Sequence, residues 1–327
     1  MPDVLKLAEG VAVPAPEQGV TLRYSREAAD RVLDFFKLLV FAQNRWAGKP
    51  FVLQPWQVDM IRTFYGVQVL DDEGNWVRYR RFLYNEIPKK NGKTELAAGL
   101  GLYHLLADGE AIPNVGIFAV DRENAETLYK AAKYMVEHTA MGQPPHKPMV
   151  YCRDSVREIR TRFGGLMKVY SNDVENKHGP SFSAILCDEL HAWKGRGGRA
   201  RWEVLTQGSD AARLQQTVLV LTTAGDDPDR QSMDEDETEW LPIMYGISTL
   251  TGDDPDKIAA LDIYDEALWK RCNPNYGVIL QPRKFRAEAK AAKLSEGSER
   301  SFRWLRLNQW VATKDVGWIP LTIYDKT

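Results

Sequence analysis

A Gly-Lys-Thr triplet separates a predicted strand from a predicted helix. In the segment LYNEIPKKNGKTELAAGL, Gly92, Lys93 and Thr94 follow the strand-like run 80–87 and begin a helical pattern. Backbone N–H groups at a helix N-terminus, a Lys ammonium and a Thr hydroxyl can together bind a triphosphate and its magnesium ion. The triplet therefore favours a phosphate loop. An ordinary helix start stays open as an alternative, because Ile87 stands where the standard pattern has Gly.

Two acidic residues end another predicted strand. The segment SAILCDE is an apolar run that closes with Asp188 and Glu189, and open parallel sheets bind ligands at the carboxyl ends of such strands. Asp188 could hold magnesium, and Glu189 could orient and polarise the attacking water as a general base. A solvent-facing acidic pair is the simpler alternative, but the combination with the upstream triplet favours an ATPase.

Two further segments could serve the same nucleotide. TTAG closes the apolar run VLVL, and Thr222, Thr223 and Ala224 could sense the γ-phosphate or merely begin a turn. In VLQPWQVDMI, the Gln57 amide can donate to adenine and accept from it, although a polar helix residue without such a role is the commoner case. These segments are candidates for coupling and for base selection.

Strand and helix patterns alternate through the middle of the chain. Strands are predicted over 80–87, 114–120, 157–163, 166–171, 181–189 and 216–224, and helices over 25–41, 55–65, 93–107 and 122–138. Such alternation is typical of a parallel sheet flanked by helices, and the continuous apolar runs AILC and VLVL suit central strands buried on both faces. Residues 262–312 are mostly helical in pattern, so we expect a small helical subdomain there.

The overall composition narrows the class of protein. The 327 residues are 44% hydrophobic with a formal net charge of -2, so no global basic field indicates nucleic acid. The chain has no basic signal segment and no apolar run long enough to cross a bilayer, which predicts a soluble, non-secreted protein. Its cysteines form no CxxC pair and its histidines show no metal-type spacing, which argues against a disulfide scaffold or a zinc site.

The four segments, in this order and spacing, resemble the ATPase half of the terminase large subunit of tailed bacteriophages, the motor that packages DNA into capsids. That family tolerates a divergent phosphate loop with an early basic residue, as Lys89 supplies, and often has Asn before the triplet, as at Asn91. Its Leu-x-Pro-Trp-Gln adenine motif is similar to residues 53–57, and its acidic pair followed by Leu-His is similar to residues 188–191. The segments NPNYG and FRWLRLNQWV resemble its helical lid, so the resemblance covers about residues 30–320.

The resemblance implies an α/β fold of the P-loop NTPase (RecA/ASCE-like) class, with a central, mostly parallel sheet flanked by helices and a small helical lid subdomain. ATP would be the substrate and Mg²⁺ the cofactor. The implied ATP-binding residues are Gln57, Pro88, Lys89, Lys90, Asn91, Gly92, Lys93 and Thr94. The other implied roles are metal binding by Thr94 and Asp188, catalysis by Lys93 and Glu189, and coupling to the lid by Thr222, Thr223 and Ala224.

The resemblance also implies partners: double-stranded DNA, a portal protein, a small terminase subunit, and further copies of this chain in a ring, commonly a pentamer, in the host cell cytoplasm. A basic residue of one subunit would reach the neighbouring γ-phosphate, and Lys177 is the candidate for this finger. The segment HAWKGRGGRARW could supply the finger instead, could be a loop that grips DNA phosphates, or could be a plain solvated loop. Its basic residues, the candidate DNA contacts, are Lys194, Arg196, Arg199 and Arg201.

The predicted organisation has four parts. They are an N-terminal arm (1–24), a P-loop ATPase core (25–250), a helical lid (251–315) and the start of a linker (316–327). Members of the family usually continue into a nuclease domain, and because the sequence ends at Thr327 we expect no nuclease activity from it. A superfamily 2 helicase-like ATPase and a non-catalytic nucleotide-binding assembly module are the alternatives. The helicase would need a second RecA-like half, for which residues 250–327 are too few and too helical.

Overall fold

A computed structural model describes most of the chain. The described residues are 4–8, 11–14, 19–143, 148–170, 180–193, 195–207, 213–225 and 239–311. The candidate finger Lys177 and the candidate DNA contact Lys194 lie outside these residues. None of the helices in the described part has the length and apolar character needed to cross a bilayer.

The N-terminal part forms two small antiparallel sheets and two helices. Its elements are β1 (Val4–Ala8), β2 (Val11–Pro14), β3 (Leu22–Tyr24), α1 (Arg26–Lys37), α2 (Pro55–Gly66), β4 (Val67–Leu70) and β5 (Trp76–Arg78). Strand β1 pairs with β2, and β4 lies between β3 and β5. The Ser25 hydroxyl caps α1 by accepting the N–H of Ala28. The helix predicted to reach residue 41 ends at Lys37, because Val40 turns away to form a β-bridge with Pro50.

An eight-stranded sheet forms the centre of the molecule. Its strands and the helices between them are β6 (Phe82–Glu86), α3 (Lys93–Leu106), β7 (Asn114–Phe118), α4 (Arg122–Glu137), β8 (Val150–Arg153), β9 (Glu158–Thr161), β10 (Leu166–Val169), β11 (Ala184–Asp188), α5 (Gly195–Gln207), β12 (Thr217–Thr222) and β13 (Trp240–Met244). The strand order is β13-β6-β12-β11-β7-β10-β9-β8. Pairing is parallel from β13 to β10, whereas β9 and β8 are antiparallel additions at one edge.

Helices cover both faces of this sheet. On one face α3 and α4 pack against the strands, and α1 lies close to α3 because Gly99 has no side chain to collide with Phe36. On the opposite face α5 packs through Leu205, beside Trp193 and the strand residues Cys187 and Val218. The continuous apolar strands are thus buried on both sides, and the predicted α/β class with a mostly parallel sheet is confirmed.

Five helices after β13 form a separate apolar cluster. They are α6 (Ile247–Thr251), α7 (Pro255–Ala259), α8 (Glu266–Cys272), α9 (Pro282–Ala292) and α10 (Glu296–Leu307). Their core is built around Trp269, whose ring lies 4.9 Å from that of Phe285, together with Phe302 and Leu307. The cluster already includes Ile247, four residues before the predicted start of the lid.

One expectation about local structure is wrong. The segment 194–201 was expected to be a Gly-rich loop, but residues from Gly195 onward form α5, because Trp202 and Leu205 supply an apolar face that packs on the sheet. The strands predicted over 157–163 and 166–171 exist, but β9 runs antiparallel to β10. A tight turn with Gly164 at φ 94 joins them and leaves no room for a crossover.

Candidate active site

The phosphate loop connects the end of β6 to the start of α3. Gly92 is the N-cap of α3 and has a φ of 83, a left-handed conformation that favours glycine. A Cβ at this position would also lie 3.0 Å from Cδ1 of Ile279 in the helical cluster. The Lys93 ammonium donates to the carbonyl oxygen of Ile87 at 2.5 Å. The loop therefore encloses the Lys93 side chain at the N-terminal end of α3.

Lys93 is buried within the influence of two carboxylates. Burial lowers the pKa of Lys93 to about 8, while the charges of Glu189 and Asp188 act in the opposite direction. The strand β12 separates β6 from β11, so the loop and the acidic pair extend from strands only two positions apart at one edge of the sheet. The structure thus brings together the triplet and the acidic pair, which lie far apart in sequence.

Asp188 and Glu189 occupy different environments. Asp188 is buried, and burial together with the neighbouring Glu189 charge raises its pKa to about 7. Burial also acts to raise the pKa of Glu189, but a hydrogen bond from His191 and the charge of Lys93 lower it below its ordinary value. Glu189 therefore remains ionised near neutral pH. That is the state a general base requires.

His191 links Glu189 to residues 222–224, which we call the coupling segment after their predicted role. Its Nδ1 lies 3.1 Å from Oε2 of Glu189 and 3.1 Å from Oγ1 of Thr222. The Thr222 hydroxyl also accepts the backbone N–H of His191 at 3.1 Å, and Thr223 Oγ1 lies 3.5 Å from the same Glu189 oxygen. Thr222 thus contacts Glu189 through the imidazole ring, and Thr223 contacts it directly.

The coupling segment in turn contacts the helical cluster. The N–H of Ala224 donates to Oδ1 of Asn308 at 2.7 Å, and Nε1 of Trp304 donates to the Ala224 carbonyl. The Asn308 amide donates to Oε1 of Glu86, at the end of β6, at 3.2 Å and to the carbonyl of Tyr245 at 2.9 Å. One buried asparagine therefore joins three parts: the coupling segment, the strand before the phosphate loop and the end of β13.

A second polar cluster joins the phosphate loop to the NPNYG segment. The Asn91 amide donates to Oδ1 of Asn273 at 2.9 Å, and Asn91 Oδ1 accepts the N–H of Asn275 at 3.2 Å. Nδ2 of Asn275 donates to the Asn91 carbonyl at 2.6 Å, while its Oδ1 accepts Nε1–H of Trp56 at 3.1 Å. All three asparagines are buried, so these bonds fix the loop against the helical cluster and α2.

An apolar cavity of about 370 Å³ adjoins the phosphate loop. Gln57 and Gly92 lie on its wall with the aromatic residues Phe41 and Phe51 and with Ile279 of the helical cluster. The side-chain Oε1 of Gln57 accepts the backbone N–H of Gln54 at 2.8 Å, which fixes the side-chain amide at the cavity. Its volume falls within the range typical of small-molecule sites, and the Gln57 amide lies on its wall.

The donor groups fit magnesium. Thr94 is the second residue of α3, and its hydroxyl and the Asp188 carboxylate are oxygen donors of the kind that Mg²⁺ prefers. Asp188 accepts the N–H of Glu189 at 3.1 Å, and burial disfavours its negative charge. A divalent cation would stabilise that buried charge, so Asp188 and Thr94 are suited to hold the ion.

The remaining predicted site residues are placed as follows. Lys89 lies beside the helical cluster, with its Nζ 5.9 Å from the ring centre of Trp304, and Lys90 is exposed with a φ of 72. Pro88 is buried, and its carbonyl accepts from the Asn91 side chain. Arg201 lies over the ring of Trp193 at 5.0 Å. Arg196 and Arg199 belong to α5, and their roles stay predictions.

Sequence reasoning missed three residues that complete the site: Asn275, Trp304 and Asn308. Each lies more than 80 residues from at least one of its partners, as the separation of 84 between Ala224 and Asn308 illustrates. The NPNYG segment carried a turn signal, but nothing in its spacing indicated Asn91 as a partner. His191 was more accessible to inference, because it lies only two residues after the acidic pair.

The comparisons with known proteins agree with this geometry. Residues 55–241 match the family described as the ATPase domain of the terminase large subunit. The chain is 25% identical over 295 residues to a terminase large subunit of Enterobacteria phage HK97, covering 87% of this chain and 53% of that protein. The crystal structure of the HK97 bacteriophage large terminase has a TM-score of 0.68 at 21% identity, covering 88% of this chain and 55% of that one. The chain thus spans about half the length of the relatives it matches.

Proposed function

Since this chain belongs to the family of terminase large-subunit ATPase domains, we propose that it hydrolyses ATP to move double-stranded DNA into a procapsid. The observation that carries the proposal is the arrangement of Lys93, Asp188 and Glu189, in which a buried lysine on a phosphate loop lies within the field of two carboxylates from a second strand. That arrangement suits phosphoryl transfer to water, because one group meets phosphate charge while another activates the nucleophile.

The apolar cavity supports ATP as the nucleotide. A base bound between the aromatic wall and Ile279 would place its sugar and phosphates toward Gly92, which lines the same cavity. Gln57 would then contact the edge of the base through its amide, and an amide can satisfy both the donor and the acceptor of adenine. Base stacking and one positioned amide together would select ATP over GTP.

The chemistry follows from the positions of the charged groups. Lys93 would move its ammonium from the Ile87 carbonyl to the terminal phosphates, where it offsets negative charge that grows in the transition state. Glu189 would orient the attacking water and accept its proton, since its lowered pKa keeps the carboxylate ionised. Mg²⁺ held by Thr94 and Asp188 would supply further positive charge at the phosphates.

Loss of the γ-phosphate would be sensed through His191. Movement of Glu189 would change its contact with His191 and hence with Thr222, from which Ala224 and Asn308 lead into the lid. The helix α10 also holds the phosphate loop directly, because Leu305 accepts the N–H of Lys89 at 3.1 Å. Together with the asparagine cluster around Asn91, these contacts give a change at the phosphates three hydrogen-bonded routes to the lid helices.

We propose that this motor assembles as a ring, a pentamer of copies of this chain. Its other partners would be duplex DNA, a portal protein and a small terminase subunit. Lys177 stays the proposed finger that reaches the neighbouring nucleotide. The four-part organisation stays a proposal as well, with the lid beginning at Ile247.

The central experiment measures ATP binding and ATP turnover of wild type, Lys93→Ala and Glu189→Gln, each with and without duplex DNA. Lys93→Ala is expected to lose both binding and turnover. Glu189→Gln is expected to bind ATP but to lose at least about 100-fold in turnover, because general-base catalysis contributes on that order. Lys284→Ala and Glu296→Gln, at exposed lid positions, are the matched controls. Wild type that neither binds nor hydrolyses ATP in any condition would overturn the proposal.

A further inference from the structure

The three antiparallel strands at one edge of the sheet carry positive charge on one face. Their side chains alternate, so Cys152, Ile159 and Met167 point into the core beside α4. The intervening residues point to the other side and form what we call the meander face. It is defined by Tyr151, Arg153, Glu158, Arg160, Arg162 and Lys168. Four cations against one carboxylate give this face a local excess of positive charge, although the chain as a whole has a net charge of -2.

Glu158 organises these cations. Its carboxylate lies 2.9 Å from Arg160 Nε, 2.9 Å from Lys168 Nζ and 3.4 Å from Arg153 Nη1. Although burial opposes it, the contacts with Arg160 and Lys168 lower the pKa of Glu158. One buried carboxylate therefore holds three cations close together and neutralises only one of their charges.

The cations remain accessible to a partner. The side chains of Arg153, Arg160 and Lys168 are 51%, 37% and 33% exposed, whereas that of Glu158 is 5% exposed. Arg162 lies on the exposed turn beyond β9, over the ring of Phe163 at 4.9 Å. Adjacent like charges repel one another, so an anionic partner bound to this face would relieve that repulsion.

Aromatic residues on this face argue for charge recognition over base stacking. Tyr170, which follows β10, is stacked on Phe118 at 5.3 Å and meets Phe182 edge-on at 5.1 Å, so its ring is already engaged. Tyr151, 44% exposed, is the aromatic residue among those that define the face, and the 68% exposed ring of Phe163 on the adjoining turn is covered on one side by Arg162. Binding of a single strand by stacking uses successive rings. A duplex instead presents regularly spaced phosphates, which exposed cations contact without reading sequence.

We infer that the meander face is a contact surface for the phosphate backbone of double-stranded DNA. This inference rests on the proposed DNA-translocating function and adds a surface to it. The meander face lies on the same side of the sheet as α5. Tyr170, two residues after Lys168, belongs with Phe118 to the apolar cluster that includes Trp193 and Leu205. Contacts on the meander face and on α5 would therefore lie along one side of the molecule.

The test uses two variants whose effects have opposite signs. Binding of the full chain to a short labelled duplex is measured by fluorescence anisotropy across a range of salt concentrations. R153Q/R162Q is expected to weaken binding by up to about 60-fold at 0.1 M salt and to reduce the salt slope by about two, because each phosphate contact contributes a slope of roughly 0.9. E158Q is expected to bind several-fold more tightly, because it removes the one negative charge of the face.

Opposite signs exclude a loss of folding as the explanation, since instability would weaken both variants. R283Q/K284Q removes the same charge from exposed positions on α9 and should bind as wild type. Basal ATP turnover should be unchanged in all variants, which separates failure of this surface from failure of the proposed ATPase. The inference would be overturned if R283Q/K284Q weakened duplex binding as much as R153Q/R162Q does, or if R153Q/R162Q left duplex binding unchanged. It would also be overturned if the variants altered only the self-association of the chain.

Discussion

His191 contacts Glu189 through Nδ1, which lies 3.1 Å from the Oε2 oxygen. An ionised carboxylate only accepts hydrogen bonds, so this nitrogen carries a proton. The Thr222 hydroxyl directs its own proton to the Thr223 carbonyl at 3.1 Å, and it can therefore accept from the same Nδ1–H. His191 thus acts as a donor shared between the proposed general base and the coupling segment.

This shared donor predicts how substitutions of His191 will rank. The amide nitrogen of Asn can occupy the position of Nδ1, whereas that of Gln corresponds to Nε2. We expect His191→Ala and His191→Gln to lower kcat for ATP by about 10- to 100-fold with little change in KM, since a hydrogen bond to a charged group contributes roughly 1.5–3 kcal/mol. His191→Asn should recover most of the activity. Steady-state turnover of the three variants tests this ranking, and equal activity in Asn and Gln variants would contradict it.

Asp188 is predicted to reduce the stability of the nucleotide-free protein. Its pKa of about 7 lies above the ordinary 3.8, so the folded protein holds a proton that the unfolded chain releases between these pH values. Stability is therefore lost as pH rises from about 4 to about 7 and stays low above that. Asp188→Asn should add up to about 4 kcal/mol to the free energy of unfolding at pH 8 and almost nothing near pH 4.

Thermal unfolding at the two pH values, with a chelator and without nucleotide, measures this gain. The exposed Asp72→Asn is the control and should change nothing. With magnesium and ATP present, the order should reverse, because ligand binding stabilises wild type and the variant has lost a metal ligand. If the variant were less stable than wild type at pH 8 without ligand, the buried negative charge of Asp188 would not be destabilising, and the prediction would be wrong.

Asp108 should behave in the opposite way. It pairs with Arg78, and it lies 2.9 Å from Nδ1 of His104, whose Nε2 meets Tyr65 OH at 3.0 Å. Although burial opposes them, Arg78 and His104 hold the pKa of Asp108 far below its ordinary value, so its stabilisation is present above about pH 4 and lost as pH falls further. Asp108→Asn should cost about 3–5 kcal/mol at pH 7, because it leaves a buried guanidinium without its partner.

Urea unfolding at pH 7 measures this loss. The control is Asp34→Asn, which breaks a pair with Lys37 whose side chains are 65% and 75% exposed. It should cost less than about 1 kcal/mol, since exposed ion pairs contribute little. A cost for Asp108→Asn no larger than that of the control would contradict the prediction.

The sequence was sufficient for features that depend on local pattern. The bounds of β6, α3, β7 and α4 fall within two residues of the predicted ones, because apolar periodicity is a local signal. The loop and the acidic pair were likewise predicted to meet, because parallel strands place their carboxyl ends at one edge.

Contacts between distant segments escaped sequence reasoning for a physical reason. Asn91 and Asn275 are 184 residues apart, and a buried asparagine looks like any turn residue until its partner is known. The direction of β9 was not predicted for a different reason. Strand length and composition indicate a strand but not its direction, whereas the tight turn through Gly164 joins antiparallel neighbours.

The asparagine cluster predicts that Asn275 positions the phosphate loop. Asn275→Ala would leave the Asn91 carbonyl and the Trp56 Nε1–H buried without their partner, at a cost of about 1–3 kcal/mol for each. We expect roughly tenfold weaker ATP binding with a smaller change in kcat, because the loop that cradles the phosphates would no longer be fixed. Asn275→Asp keeps the acceptor for the Trp56 N–H, but it places a carboxylate oxygen against the carbonyl oxygen of Asn91. This variant should therefore bind ATP no better than the Ala variant. Fluorescence titration with ATP measures the affinity of both variants, and the exposed Asn124→Ala is the control. If Asn275→Asp bound ATP as tightly as wild type, the hydrogen bond donated to the Asn91 carbonyl would be dispensable.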